Sequence, residues 1–279
     1  MKLIDSINEM QFLSSDWKLD DQRIGFVPTM GNLHAGHLSL VEKARAECDK
    51  VVVSIFVNPL QFDDGQDFSK SPRTLDDDKE KLSALNIDAV FVPEESELYP
   101  QGKDATSKVE VPGISIILEG ASRAGHFVGV TTVVNKLFNI VQPDVALFGE
   151  KDFQQLLIIQ QMVADLNMPV DIISMPTARE ADGLAMSSRN NRLAKAQRET
   201  APLLHQALQE LRKEILEGGD FPSAKQLAFE QLTAAGFKPD YIELRDAITL
   251  GEVSAETKEK VILAAAQLGD IRLIDNLRV

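Results

Sequence analysis

The feature that most restricts this chain is an alternation of two textures. Up to about residue 176, short runs rich in β-branched and aromatic residues (RIGFVPT, VVVSIFV, DAVFVP, DVALFGE, VDIISMPT) take turns with amphipathic stretches (HLSLVEKARAECDK, TLDDDKEKLSALN, VGVTTVVNKLFNIV, FQQLLIIQQMVADLN). In the first of these stretches Leu38, Val41, Ala44 and Cys48 recur at the helix period and share one face. VVVSIFV is apolar almost throughout, which suits a strand covered on both sides. Such alternation predicts an α/β chain built on a doubly wound parallel sheet. Ligands then belong beyond the carboxyl ends of the strands, at a switch in strand order.

After MPTARE the texture changes. AQRETAPLLHQALQELRKEILEGG reads as one helix ended by Gly218 and Gly219, and PSAKQLAFEQLTAAGF as a second ended by Gly236. DYIELRD and KVILAAAQLGDIRLIDNLRV supply short strands. The expected division is therefore a larger domain over 1–176 and a smaller α+β domain over 177–279, which a chain of 279 residues accommodates.

Charge and cysteine usage narrow the function classes. A net charge of -14 opposes an extended nucleic-acid footprint, which needs clustered Lys and Arg, while a small anionic ligand remains compatible with it. No apolar run nears the ~20 residues that span a bilayer, so no membrane association is expected. Cys48 is the only cysteine and reads as a small apolar residue on a helix face, leaving no disulfide framework and a cytoplasmic location as the expectation.

The segment PTMGNLHAGHLSL runs from a strand through a glycine-bearing turn into a helix. Helix N-termini carry unpaired N–H groups and partial positive charge, so this junction suits a phosphate. Gly31 and Gly36 permit close backbone approach, and His34 and His37, three residues apart, project as neighbours. Imidazoles there can donate to a triphosphate as charge builds on departing pyrophosphate. Ordinary capping and packing histidines are the competing reading.

Other segments add candidates. FVNPLQF places Asn58 and Gln61 at a strand's carboxyl end, as hydrogen-bonding groups or simply as an Asn-Pro turn. LFGEKDFQQL offers Lys151 for phosphate, Asp152 for a ribose hydroxyl or to orient Lys151, and Gln155 one turn into a helix; acids that cap the helix are the alternative. DGLAMSSRNNRL places Ser187, Ser188 and Arg189 in a loop, as a phosphate clamp or a polar linker. Arg123 and His126 precede an apolar helix, to pair with an anion or to cap that helix. Asp76, Asp77 and Asp78 read as acids favouring a helix dipole, with metal binding the less favoured use. His205 reads as a surface or packing residue of its helix. GxSxG, HExxH, GxxxxGK[ST] and GxGxxG motifs are absent, which removes sequence support for serine hydrolase, zincin, Walker-type and dinucleotide-turn readings.

PTMGNLHAGH, NPLQF, GHFVGVTTVV, FGEKDFQQL and DGLAMSSRN occur in that order over nearly the whole length, and in this the chain resembles the pantoate–beta-alanine ligases, members of the HxGH nucleotidylyltransferase superfamily. The resemblance implies a Rossmann-like ATP- and pantoate-binding domain, a lid-like C-terminal domain, a homodimer, and ATP as co-substrate with Mg2+. It implies two steps: pantoate attacks the α-phosphate of ATP to give pantoyl adenylate and pyrophosphate, and the amine of beta-alanine then displaces AMP. Residue by residue, it places Met30, Gly31, Asn32, Leu33, His34, Ala35, Gly36 and His37 on ATP, with His37 the proton donor and His34 beside it. It places Gln61 and Gln155 on pantoate, and Gln61 also near beta-alanine. Gly149, Glu150, Lys151, Asp152 and Ala178 contact nucleotide on this reading, and Met186, Ser187, Ser188 and Arg189 form the KMSKS-like segment over the phosphates. No protein metal ligand is assigned. Two positions depart from many relatives: Ser71 stands where they carry Tyr, and Arg192 where they carry an aromatic residue. The rival readings are another HxGH nucleotidylyltransferase, a tRNA-charging enzyme and a nucleotide-sensing protein without catalysis.

Overall fold

The computed structural model describes residues 1–62 and 74–279, so Ser71 and Pro72 lie outside the described residues. Two compact units form, Met1–Glu150 with Ile158–Met175, and Lys151–Leu157 with Pro176–Val279.

The first unit is built on six parallel strands: β1 (Lys2–Ile4), β2 (Ile24–Thr29), β3 (Lys50–Ile55), β4 (Ala89–Phe91), β5 (Val145–Gly149) and β6 (Asp171–Met175), in the order β1-β4-β3-β2-β5-β6. Helices α1 (Ile7–Leu19), α2 (Ala35–Glu47), α3 (Leu75–Ala84), α4 (Glu95–Leu98), α5 (Glu119–Ser122) and α6 (His126–Val141) intervene, and α7 (Phe153–Asp165) precedes β6. The N-terminal β1 and α1 lie ahead of the first strand that the alternation picks out. In α1 the buried Met10, Leu13, Ser14 and Trp17 follow the helix period, and Ser6 caps its start.

Both faces of the sheet are covered, which explains its near-continuous apolar strands. On one face Val27, Val51, Val53 and Val90 pack with Leu40, Val41 and Ala44 of α2 and Leu82 of α3. Elsewhere in the unit Phe138 of α6 meets the rings of Phe26 and Phe148 edge-on, at 6.3 and 6.4 Å. Cys48 corrects the helix reading: α2 ends at Glu47, and Cys48 is its extended C-cap, half-buried against Gly25. A side chain at Gly25 would press on the Cys48 sulfur at 3.0 Å, so helix and strand approach closely there. Burial pushes the Cys48 thiol above its ordinary range, as expected of a packing residue. The strand order reverses at β2, which has β3 on one side and β5 on the other. Thr29 and Gly149 end the two strands that flank this switch point, where an open α/β sheet binds its ligand.

The second unit carries α8 (Lys195–Thr200), α9 (Leu203–Leu216) and α10 (Phe221–Ala234), followed by an antiparallel sheet of β7 (Phe237–Asp246), β8 (Lys260–Leu268) and β9 (Ile271–Arg278), with β8 central. The single helix expected over AQRETAPLLHQALQELRKEILEGG is two, because Pro202 lacks the N–H that would continue the first. Leu204, Ala207, Leu208 and Leu211 of α9 form a stripe packed with Ile262, Ala264, Ala266 and Leu273 of the sheet. Among the described residues no helix is long and apolar enough to cross a membrane.

Candidate active site

The chain leaves β2 through two consecutive left-handed residues, Gly31 at φ +81° and Asn32 at φ +53°. Glycine adopts that region freely and asparagine is among the few other residues that tolerate it. The turn is held from a distance: Asp78, 1% exposed, accepts the N–H of Asn32 on Oδ2 and of Leu33 on Oδ1, both at 2.7 Å. Thr74 Oγ1 donates to the same carboxylate at 3.0 Å, and Lys81 Nζ holds the Leu33 carbonyl at 2.8 Å. The chain then enters α2 with His34 as N-cap. The two imidazoles lie against each other, tilted by 38°, with ring centroids 4.0 Å apart. The backbone N–H of His34 donates to Nδ1 of His37 at 3.4 Å. A ring nitrogen that accepts carries no proton, so neutral His37 bears its proton on Nε2 and presents it as a donor. The N–H groups of Ala35 and Gly36, in the first turn of α2, have no protein partner among the described residues.

A second element of the same unit begins where β3 ends. Asn58, 1% exposed, caps a single 3-10 turn, Pro59–Gln61. Its amide donates to Gln61 Oε1 at 3.2 Å and to the Gly129 carbonyl at 3.0 Å, while its carbonyl oxygen accepts from the Tyr99 hydroxyl at 2.8 Å. Burial, then the nearby Glu95 charge, pushes the Tyr99 phenol far up, so it remains a donor. Gln61 Nε2 lies 2.9 Å from the Met30 sulfur, which joins this element to the β2 turn. Arg123 and His126, read as an anion pair or a helix cap, hold the Gln61 backbone: Arg123 Nη2 and His126 Nδ1 donate to its carbonyl at 3.2 and 2.9 Å. His126 Nε2 is thereby left to accept from Arg123 Nη1 at 3.2 Å. Gly129 is required here, since a Cβ on it would stand 2.4 Å from the Leu60 carbonyl oxygen.

Gly149 and Glu150 end the β5 segment of the first unit. Lys151, Asp152 and Gln155 open the second, with Lys151 Nζ 3.7 Å from Asp152 Oδ1. Ala178 and Met186 are paired, the Met186 N–H donating to the Ala178 carbonyl at 2.9 Å, and Arg179 bridges Ala185 across a hairpin that turns at Gly183 (φ +90°). Ser187 then caps a 3-10 turn over Ser188–Arg192, its hydroxyl accepting the Arg189 N–H at 3.2 Å. The stretch read as a loop is thus a hairpin followed by a capped turn. Lys151, Ser187, Arg189, Asn190, His205 and Asp275 line one open, shallow pocket. Behind it Asp275, 4% exposed, accepts both arms of the Arg179 fork, the His205 Nδ1–H at 3.1 Å and the Asn276 N–H at 2.7 Å. Asn276 in turn holds the Lys151 carbonyl at 3.0 Å.

Sequence reasoning missed Tyr99, Arg179, Asp275 and Asn276, and read Asp78 only among the acids of a helix start. A signal existed for Asp275, the lone acid in a strand, IRLIDNL, whose Ile and Leu residues mark it as core-facing, where an unpaired charge is strongly disfavoured. None distinguished Asp78 from its neighbours: Asp76 pairs with Lys79 at 2.6 Å and both Asp76 and Asp77 are exposed. His205, read as surface or packing, is buried and bonded to Asp275.

A doubly wound parallel sheet with an HxGH turn at its switch point defines the class, a nucleotide-using α/β enzyme of the HxGH type. Comparison with known proteins gives the family. The profile described as Pantoate-beta-alanine ligase matches residues 2–278, and the chain belongs to that family. It is 56% identical over 264 residues to the pantothenate synthetase of Aliivibrio fischeri, covering 94% of this chain and 91% of that one. The crystal structure of pantothenate synthetase from Thermus thermophilus superposes with a TM-score of 0.92 at 43% identity, covering 99% of each chain. That of the Francisella tularensis pantoate-beta-alanine ligase, complexed with beta-gamma ATP and beta-alanine, gives 0.84 at 38% identity over 99% of this chain and 97% of that one.

Proposed function

We propose that this ligase joins pantoate to beta-alanine through pantoyl adenylate, with the residues assigned above as its working parts. A pantoate carboxylate oxygen attacks the α-phosphorus of ATP, and the bond from that phosphorus to the bridging oxygen breaks. Pyrophosphate leaves as its charge is met by His37 Nε2–H, by His34, and by the N–H groups of Ala35 and Gly36. Lys151, Ser187, Ser188 and Arg189 supply further phosphate donors. The amine of beta-alanine then attacks the activated acyl carbon, AMP departs with the electron pair of the acyl–oxygen bond, and the nitrogen loses its proton. Neutral amides at Gln61 and Gln155 suit pantoate's hydroxyls without repelling its carboxylate. Mg2+ accompanies ATP as substrate.

The observation that carries this reading is the His34–His37 arrangement, in which a backbone N–H occupies Nδ1 of His37 and leaves its proton on the outer nitrogen. Family membership supports the remaining assignments, including Met30, Gly31, Asn32, Leu33, Gly149, Glu150, Asp152, Ala178 and Met186 at the nucleotide, and a homodimer. Dependence on ATP supports a cytoplasmic location. Purified protein incubated with ATP, Mg2+ and pantoate should release pyrophosphate, and should release AMP and pantothenate only when beta-alanine is added, both read by mass. Pyrophosphate release that ignores pantoate overturns the reading.

A further inference from the structure

We infer that Asp78 is a positioning residue for adenylation, a role resting on the function proposed above: its buried carboxylate fixes the Gly31–Leu33 turn that aims the two histidines. Both its oxygens are engaged inward, Oδ1 by the Leu33 N–H and Oδ2 by the Asn32 N–H and the Thr74 hydroxyl. These are charge-assisted bonds, short and directional. The conformation they hold is an unfavourable one, because Asn32 sits in the left-handed region at φ +53° where a side chain is disfavoured. Without the carboxylate, two amide N–H groups lose their partner, and Asn32 loses the bond that holds it out of an ordinary conformation. The consequence falls one residue further on, at His34, whose N–H sets the His37 ring. Asp78 contributes no donor to substrate. It takes up the N–H groups of Asn32 and Leu33, so that those of Ala35 and Gly36 are the turn's contribution to a phosphate.

The Gln61 backbone is held by different atoms, those of Asn58, Arg123 and His126, and its side chain meets the β2 turn at Met30, ahead of the residues that Asp78 holds, which permits a test by half-reactions. In full-length Asp78→Asn, pantoate-dependent pyrophosphate release should fall about 10- to 100-fold, the scale of a small misplacement of reacting groups. Conversion of supplied pantoyl adenylate and beta-alanine to pantothenate should stay within about threefold of wild type, because that step does not use the departing pyrophosphate's donors. A role in folding alone lowers both half-reactions together, so a parallel fall, or no fall in the first, overturns the inference. If Asp78→Asn does not fold, Lys81→Met, which releases the Leu33 carbonyl, decides in the same way: selective loss of the first half-reaction supports the inference, and equal rates in both overturn it. A wild type that releases no pyrophosphate overturns the proposed function itself, which separates the two failures.

Discussion

The carboxylate of Asp275 closes into the guanidinium fork of Arg179, with contacts of 2.7 and 2.8 Å between residues 96 positions apart. Arg179 also donates to the carbonyls of Gly183 and Asn276, so one ion pair ties the hairpin after Ala178 to β9. Asp275→Ala leaves the Arg179 and His205 donors facing a cavity, and the loss of one partner of a buried pair costs about 3–5 kcal/mol. Urea denaturation should report it. An unchanged midpoint would mean that the pair contributes no net stability.

The same carboxylate links stability to acid. Burial pushes Asp275 up, but the His205 bond, the Arg179 fork and its charge, and the Asn276 N–H together carry it below the ordinary aspartate range. A carboxyl depressed in the folded state contributes stability that is present above the unfolded pKa, near 4, and lost as pH falls through the folded value. The urea midpoint of wild type should therefore decline below about pH 4 more steeply than that of Asp275→Asn, which has no charge to lose at that position. Parallel declines would assign the acid sensitivity to other carboxylates.

His37→Ala should lower pantoyl adenylate formation by roughly two to four powers of ten, the range supplied by a proton donor and by stabilisation of the leaving charge. Single-turnover pyrophosphate release checks this directly. Wild-type turnover in the variant would remove His37 from the mechanism.

Gly129→Ala inserts a methyl group 2.4 Å from the Leu60 carbonyl oxygen, which forces the Pro59–Gln61 turn away from α6. Overpacking of this kind costs about 1–3 kcal/mol. Because Gln61 moves with the turn, KM for pantoate and beta-alanine should rise while KM for ATP stays near wild type. Gln61→Ala should show the same selectivity without the loss of stability, and a change confined to ATP would place Gln61 in the wrong pocket.

Much of this was legible from local pattern. Strand-helix alternation reports burial on two faces, and it identified β2 to β6 and the helices α2, α3, α6 and α7, though not the single-turn α4 and α5. It failed where local chemistry is ambiguous. Pro202 divides one amphipathic run into two helices, and β1 with α1 precede the first recognisable strand. The residues at chain turns could be read because HxGH, Asn58, Gln61 and Lys151 lie directly after strands. The residues that hold them could not. Asp78 reaches the β2 turn across 46 positions, and Asp275 reaches Arg179 across 96. No spacing rule announces a partner set by tertiary docking, and a run of three aspartates hides the single one whose carboxylate is withdrawn from water.

The distance between Asn32 and its carboxylate also imposes an order of assembly. Synthesis delivers β2 and α2 first, while Thr74, Asp78 and Lys81 follow only after β3, so the phosphate-facing bend is bare of its restraints until a later crossover has docked. Contacts between segments so widely separated form late relative to local helices. Pulsed hydrogen exchange during refolding should accordingly find the amides of Asn32 and Leu33 gaining protection no sooner than those of Val51 to Val53. The newborn chain thus has its histidines in place along the sequence before it has them aimed.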